Sequence, residues 1–321
     1  MSAPVRIGTR ASVLATTQSR LVADRIAELL GREVELVEIS TEGDRSQAAG
    51  TPLAGTSTTG VFVSALRDAL LDGRVDVAVH SLKDLPTYPA EGIVLAAIPG
   101  REDPRDVVVA RDGLSLGELP VGSRVGTGSP RRAAQLRALG LGVDVDGVRG
   151  NVDSRIAKVR SGEYDAVVLA RAGLARIGRL DEATEVLDPL QVLPAPGQGA
   201  LAVECRHDDD LAVQLREVLD DPRARAAVEA ERAVLATLEG GCSAPIGALA
   251  ELVEGDDGEE LWVRAIALSP DGGLSVRMSA TGDPADAAGV GDRLAREMLA
   301  DGAADLAKPE NDHSLDKVQN A

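Results

Sequence analysis

Lysine and aromatic residues are the scarcest parts of this 321-residue chain: there is one Trp, two Tyr and one Phe, and the only lysines are Lys83, Lys158, Lys308 and Lys317. Acids outnumber bases by 52 to 34, for a formal net charge of −18. A surface of that sign excludes nonspecific binding to nucleic acid and docking on an anionic membrane, both of which need cationic surface. Acid-rich, lysine-poor composition also matches proteins that work in concentrated salt, where mutual repulsion is screened. No apolar run approaches the length of a membrane span. Cys205 and Cys242 allow one disulfide at most and are expected as thiols. Met1-Ser-Ala-Pro leads straight into Val5-Arg6-Ile7-Gly8, a strand pattern rather than a signal peptide, so a cytoplasmic protein is expected.

Against this acidity one stretch is basic. From Arg124 to Leu180 ten arginines and Lys158 face five acids, a local charge of about +6 that leaves about −24 for the rest. Clustered guanidinium groups match carboxylates or phosphates through paired charge-assisted hydrogen bonds. Within the stretch, Val125-Gly-Thr-Gly-Ser129 reads as a strand entering a glycine turn, with Ser129 as N-cap and Pro130 opening a helix. Arg131 and Arg132 then fall in the first helical turn, where cations oppose the helix dipole, which suggests that an anion is normally present.

The remaining pattern is α/β. Val13 to Leu30 keeps helical spacing up to Gly31, Glu33 to Ile39 alternates as a strand, and Thr41 to Gly60 is a polar tract without period, read as a mobile lid or a disordered segment. Val75 to Val79 reads as a strand that delivers His80-Ser-Leu-Lys-Asp84 to its C-terminal end, where α/β sheets bind ligands; taken singly, His80 is equally well an interior histidine and Lys83 with Asp84 a solvated pair. Breaker-rich crossings at Pro99–Pro104 and Leu193–Gly199 divide the chain into a domain of residues 1–99, to which 200–219 return, and a second domain of residues 105–193. Residues 221–306 form a small α+β domain with hairpin turns at Asp256-Asp-Gly258 and Asp271-Gly-Gly273, and 307–321 a polar tail.

Taken in order, His80-Ser-Leu-Lys-Asp84, Arg101-Glu-Asp-Pro-Arg-Asp106, Gly126-Thr-Gly-Ser-Pro-Arg-Arg132, Arg149-Gly-Asn151, Pro194-Ala-Pro-Gly-Gln-Gly199 and Leu238-Glu-Gly-Gly-Cys242 closely resemble the porphobilinogen deaminase (hydroxymethylbilane synthase) family over almost the whole chain. The resemblance implies two hinged α/β domains of the periplasmic-binding-protein type II build plus a C-terminal α+β domain. It implies an enzyme of tetrapyrrole biosynthesis that joins four porphobilinogen molecules head to tail with loss of ammonia. It also implies a covalent dipyrromethane cofactor on a thioether at Cys242, a soft nucleophile suited to an electrophilic azafulvene. On the same footing, Asp84 and Lys83 are the catalytic pair. Ser81, Thr127, Ser129, Arg131, Arg132, Arg149 and Gln198 join them around the cofactor, and Arg10, Arg155, Arg176, again Arg149, and Phe62 meet the substrate. No metal is implied, and a monomer is the family's usual state. Two departures stand out: Gly55-Thr-Ser-Thr-Thr-Gly60 and Ser64-Ala-Leu-Arg67 replace runs in which bacterial relatives commonly carry Gly-Gly-Lys-Gly and Lys-Glu-Leu-Glu. The rival reading is a non-catalytic two-domain binder of a carboxylated small molecule, since fold alone does not decide chemistry.

Overall fold

The computed structural model describes residues 3–39, 58–238, 245–255 and 258–306, without the side chains of 58–62. Expectations for the tract 41–57, the Phe62 ring, Cys242, the Asp256-Asp257 turn and the tail from 307 lie outside the described residues. Four strands precede the first crossing: β1 (Val5–Thr9), β2 (Val34–Glu38), β3 (Val77–Ser81) and β4 (Ile93–Ala97). Five follow it: β5 (Asp106–Ala110), β6 (Arg124–Gly126), β7 (Asp144–Asp146), β8 (Ala166–Ala170) and β9 (Glu185–Val186). After the second crossing comes β10 (Leu201–Arg206), then the long strands β11 (Ile246–Gly255), β12 (Gly258–Leu268) and β13 (Ser275–Gly282).

The first sheet has the order β2-β1-β3-β10-β4 and the second β7-β6-β8-β5-β9. Both follow one plan: β1 is parallel to its neighbours β2 and β3, as β6 is to β7 and β8, while β10 and β5 are antiparallel to the strands on either side. Each of these antiparallel strands follows a crossing, so the chain passes twice between the domains.

The strands are apolar on both faces because helices cover both. Val5 and Ile7 of β1 pack with Val22 and Ile26 of the helix Val13–Leu30, whose Ser12 cap accepts from the Ala15 N–H and whose end is turned by Gly31 at φ 60°. On the opposite face Ala78 of β3 meets Leu66 and Leu70 of the helix Thr58–Leu71. In the C-terminal domain, β11, β12 and β13 form an antiparallel meander backed by the helices Pro222–Thr237 and Ala287–Ala300, with Val234, Leu261, Leu294 and Met298 fully buried between them. No helix among the described residues is long and apolar enough to cross a membrane.

The two crossings run side by side and are locked to the C-terminal domain. The Glu102 N–H donates to the Gly199 carbonyl at 3.2 Å. Gly199 has φ 89°, and a β-carbon there would lie 2.3 Å from the Glu102 carbonyl oxygen, so only glycine permits this approach. Arg101 donates from Nε to the Gln198 carbonyl and from both terminal nitrogens to the two oxygens of Glu231, which is fully buried. Those oxygens also accept the N–H groups of Gly197 and Ala250. The helix that carries Glu231 touches the first domain as well, through Val228 beside Leu82 and Ile98 and through Arg232, which donates to the Leu85 and Pro86 carbonyls. The β11–β12 surface meanwhile packs Leu249, Ile266 and Leu268 on Ala134 of the second domain.

Candidate active site

β3 ends in the cleft between the two sheets. Ser81 is its last residue and pairs at 3.0 Å with Gln18, a buried side chain of the Val13–Leu30 helix. Leu82 is buried and its N–H donates to the Ala200 carbonyl, which anchors the short 3₁₀ turn Leu82–Asp84. The turn leaves Lys83 half-buried and Asp84 exposed to the cleft. Lys83 Nζ donates to Gln198 Oε1 at 3.2 Å. Burial, and next the charge of Arg132, lower its pKa to about 8 against the opposing pull of Asp84 and Asp106.

Across the cleft, β6 runs through Thr127-Gly128 into Ser129, whose hydroxyl accepts the Arg132 N–H, while its own N–H donates to the Thr127 hydroxyl at 3.2 Å. The turn and its cap have the form the sequence suggests, and the protein itself places one anion beside Arg131 and Arg132. Asp106, the first residue of β5 and fully buried, accepts from Arg131 at 2.8 Å and from Nε and a terminal nitrogen of Arg132 at 3.1 and 2.8 Å. Arg131 also donates to the Leu193 carbonyl and Arg132 to the Val168 carbonyl. The dipole argument counted only charges near in sequence and did not foresee this carboxylate, which β5 brings from 25 residues upstream. Burial pushes the Asp106 carboxyl upward, and the two guanidinium groups outweigh it and hold it well below the usual carboxylate range.

Four neighbouring cavities with residues in common line the cleft. The first, about 290 Å³, is lined by Lys83, Asp84, Ser129, Arg131, Arg132, Arg155 and Gln198, with Leu235 and Ile246 from the C-terminal domain. A second, of about 570 Å³, shares Gly128-Ser129-Pro130 with it and adds Thr127, Arg149 and Lys158. The third, about 180 Å³, joins Arg10, Gln18, His80 and Ser81 to Asp84, and the fourth, about 260 Å³, holds Arg10 with Arg155. Arg155 donates to the Gly150 carbonyl and Arg176 to the Gly199 carbonyl at the crossing. Burial lowers the pKa of both guanidinium groups, a cost that an incoming carboxylate would relieve.

Of the site expected from the sequence, the structure gathers Lys83, Asp84, Ser129, Arg131, Arg132, Arg155 and Gln198 on one cavity and puts Arg10 and Ser81 behind Asp84. Arg149 stands exposed on the second cavity with Thr127, and Arg176 is fixed at the crossing rather than on any of the four. The donor set fits a dipyrromethane with its several carboxylates: cations from both domains converge, and among the described residues the buried Nε of Arg131 has no hydrogen-bond partner. Asp84 supplies the opposite sign. Within the described residues no hydrogen bond or ion pair holds its carboxylate.

Sequence reasoning missed Gln18, and it gave Asp106 and Glu231 no role. It also missed Glu204, a buried residue of β10. Arg67 grips both oxygens of Glu204 at 2.7 and 3.0 Å, and His80 Nε2 stands 3.2 Å from one of them. His80 therefore belongs to a buried polar cluster with Arg67 and Glu204, and the unusual arginine at 67 has its partner in Glu204. Burial raises the Glu204 pKa, but His80 and Arg67 together bring it down to about 2 from an ordinary 4.5. A depressed carboxylate gives stability that is present above its unfolded value and lost as pH falls from about 4.5 towards about 2, on the order of 3 kcal/mol here. Arg67→Gln is expected to remove much of this acid-dependent part; urea midpoints measured from neutral to acid pH should fall less steeply than in the parent, and identical pH slopes would refute it.

A two-domain α/β cleft lined with buried arginines, with a third domain closing one end, defines a protein built to hold a polycarboxylated ligand. The family model of the porphobilinogen deaminase dipyromethane cofactor binding domain matches residues 5–214, and that of the porphobilinogen deaminase C-terminal domain matches residues 225–300. Porphobilinogen deaminase of Nocardia farcinica is 57% identical over 308 residues, covering 94% of this chain and 88% of that protein. That of Mycobacterium tuberculosis is 57% identical over 307 residues, covering 94% and 98%, and porphobilinogen deaminase 1 of Streptomyces coelicolor is 56% identical over 311 residues, covering 94% and 97%. The chain belongs to the porphobilinogen deaminase family. Among solved structures, a periplasmic substrate-binding protein of an ABC transporter from Coxiella burnetii aligns with a TM-score of 0.44 at 14% identity over 69% of this chain and 94% of that one, a likeness too low to carry an argument.

Proposed function

We propose that this chain condenses four porphobilinogen molecules head to tail, releases ammonia at each addition and then hydrolyses off hydroxymethylbilane, as a cytoplasmic monomer. Family membership favours this enzyme over a non-catalytic binder. The observation that carries it is the carboxylate of Asp84, held by no hydrogen bond or ion pair among the described residues and set where two cavities meet whose other charged side chains, Lys83, Arg131, Arg132, Arg155 and Arg10, are cationic.

Dipyrromethane, when bound through Cys242, supplies the nucleophilic pyrrole carbon from which the product grows. The chain on both sides of Cys242 supports that attachment, since Leu235 and Ile246 line the first cavity. Lys83, Ser129, Arg131, Arg132 and Gln198 hold the cofactor's carboxylates and ring edges, and Thr127 and Arg149 extend this surface into the second cavity. Arg10, Ser81 and Arg155 receive the acetate and propionate of the incoming porphobilinogen; Arg176 and Phe62 are assigned from their places in the sequence alone, Arg176 to a substrate carboxylate and Phe62 to packing on a pyrrole ring. Asp84 accepts pyrrole N–H bonds and stabilises the positive charge that develops on those nitrogens as ammonia leaves. Lys83, with a pKa of about 8, populates both protonation states near neutral pH and is placed to exchange a proton at Nζ beside that carboxylate.

Intact mass of the purified protein tests the reading. Protein from porphobilinogen-producing cells should be heavier than its sequence by two pyrrole units, and Cys242→Ser should abolish the addition. An unmodified mass in the parent would favour the simple binder.

A further inference from the structure

Asp106 lines none of the four cavities, yet three of the residues that line the first are held by it. Its two oxygens accept from Arg131, Arg132 and Gln198. Gln198, itself buried, has only one workable orientation: its amide nitrogen faces the Pro104 carbonyl at 2.6 Å and Asp106 at 2.7 Å, both acceptors, which turns its oxygen towards Arg132 and Lys83. An unbroken series of hydrogen bonds therefore runs from β5 through the second crossing to the ammonium next to Asp84.

We infer that Asp106 is a positioning residue of the reaction: one buried carboxylate fixes the two guanidinium planes of the second domain and, through Gln198, sets the place and proton affinity of Lys83 in the first. The groups that act on Lys83 come from each neighbouring element: Asp84 from its own turn, Arg131 and Arg132 from the helix Pro130–Ala138, Asp106 from β5 and the Gln198 oxygen from the crossing. Removing the Asp106 charge leaves Arg131 and Arg132 uncompensated, and two such cations disfavour a third. Lys83 would then release its proton at lower pH, and the arginine pair would lose the acceptor that orients it. The consequence for catalysis rests on the deaminase reading, whereas the proton affinity of Lys83 does not.

Competitive acetylation with acetic anhydride across a pH series, followed by digestion and mass spectrometry, reads that affinity in the purified holoprotein. Only four lysines compete, and the measurement is independent of turnover. In Asp106→Asn the Lys83 midpoint is expected to fall by about one pH unit, while that of Lys158 stays put. Arg132→Gln should raise it, and the double variant should return near the parent. If Asp106→Asn does not fold, Arg132→Gln and the double variant decide, because their difference isolates the Asp106 charge. A Lys83 midpoint unchanged in Asp106→Asn, or equal in Arg132→Gln and the double variant, overturns the inference.

Discussion

Exchanging Glu231 for glutamine is expected to destabilise the docking of the C-terminal domain by about 3–5 kcal/mol, although the side chain keeps its size. Each Glu231 oxygen accepts twice: one from Arg101 and the Ala250 N–H, the other from Arg101 and the Gly197 N–H. A glutamine has one oxygen and one NH₂ group, so whichever way it turns, two donors face two donors. The same exchange leaves the largely buried Arg101 guanidinium without its counter-charge. The damage should be local to the junction, because Gly197 lies in the second crossing and Ala250 in β11. Hydrogen exchange at those two amides should accelerate more than at the β1–β3 amides, and urea should release the C-terminal domain before the sheets. Parental exchange rates at both amides, with a parental urea midpoint, would sink the prediction.

Such residues explain how much could be read beforehand. Strands and helices were legible because each segment carries its own period: Val107-Val-Val109 is buried on both faces, and Val13 to Leu30 shows a helical stripe ended by a glycine. The double crossing was legible from proline and glycine. The ionic interior was not. Asp106, Glu204 and Glu231 look like any other of the 52 acids until the packing of helices and crossings on the sheets brings Arg131, Arg67 and Arg101 against them from distances of 25, 137 and 130 residues. Buried carboxylates leave no local pattern, since their partners are long-range. Motif resemblance found the cleft residues as a set; it could not separate arginines that only face the cleft from arginines that also hold the buried Asp106.

That separation changes how substitutions at the two kinds of arginine should be read. Arg131→Leu removes a ligand contact and also unpairs Asp106, so its effect mixes binding with the integrity of the turn. Arg155 and Arg176 are held by backbone carbonyls, and their replacement strands no buried carboxylate among the partners described here.

Asp84 is the most direct test of the chemistry because among the described residues no hydrogen bond or ion pair ties up its carboxylate. Asp106, Glu204 and Glu231 are all consumed by arginines, whereas the Asp84 carboxylate is exposed to the cleft between Lys83, Arg155 and Arg10 and remains available for pyrrole N–H groups. Asp84→Asn keeps the shape and loses the charge, so binding should survive while charge developing on the pyrrole nitrogens goes unstabilised. Loss of one preorganised electrostatic partner typically costs roughly a hundredfold to a thousandfold in rate. Single-turnover ammonia release from porphobilinogen should slow by that factor in Asp84→Asn, with Asp84→Glu, which keeps the charge and moves it by one methylene, falling between. Urea midpoints of both variants should match the parent, which separates the effect from folding. Ammonia release at the parental rate in Asp84→Asn would remove Asp84 from the reaction.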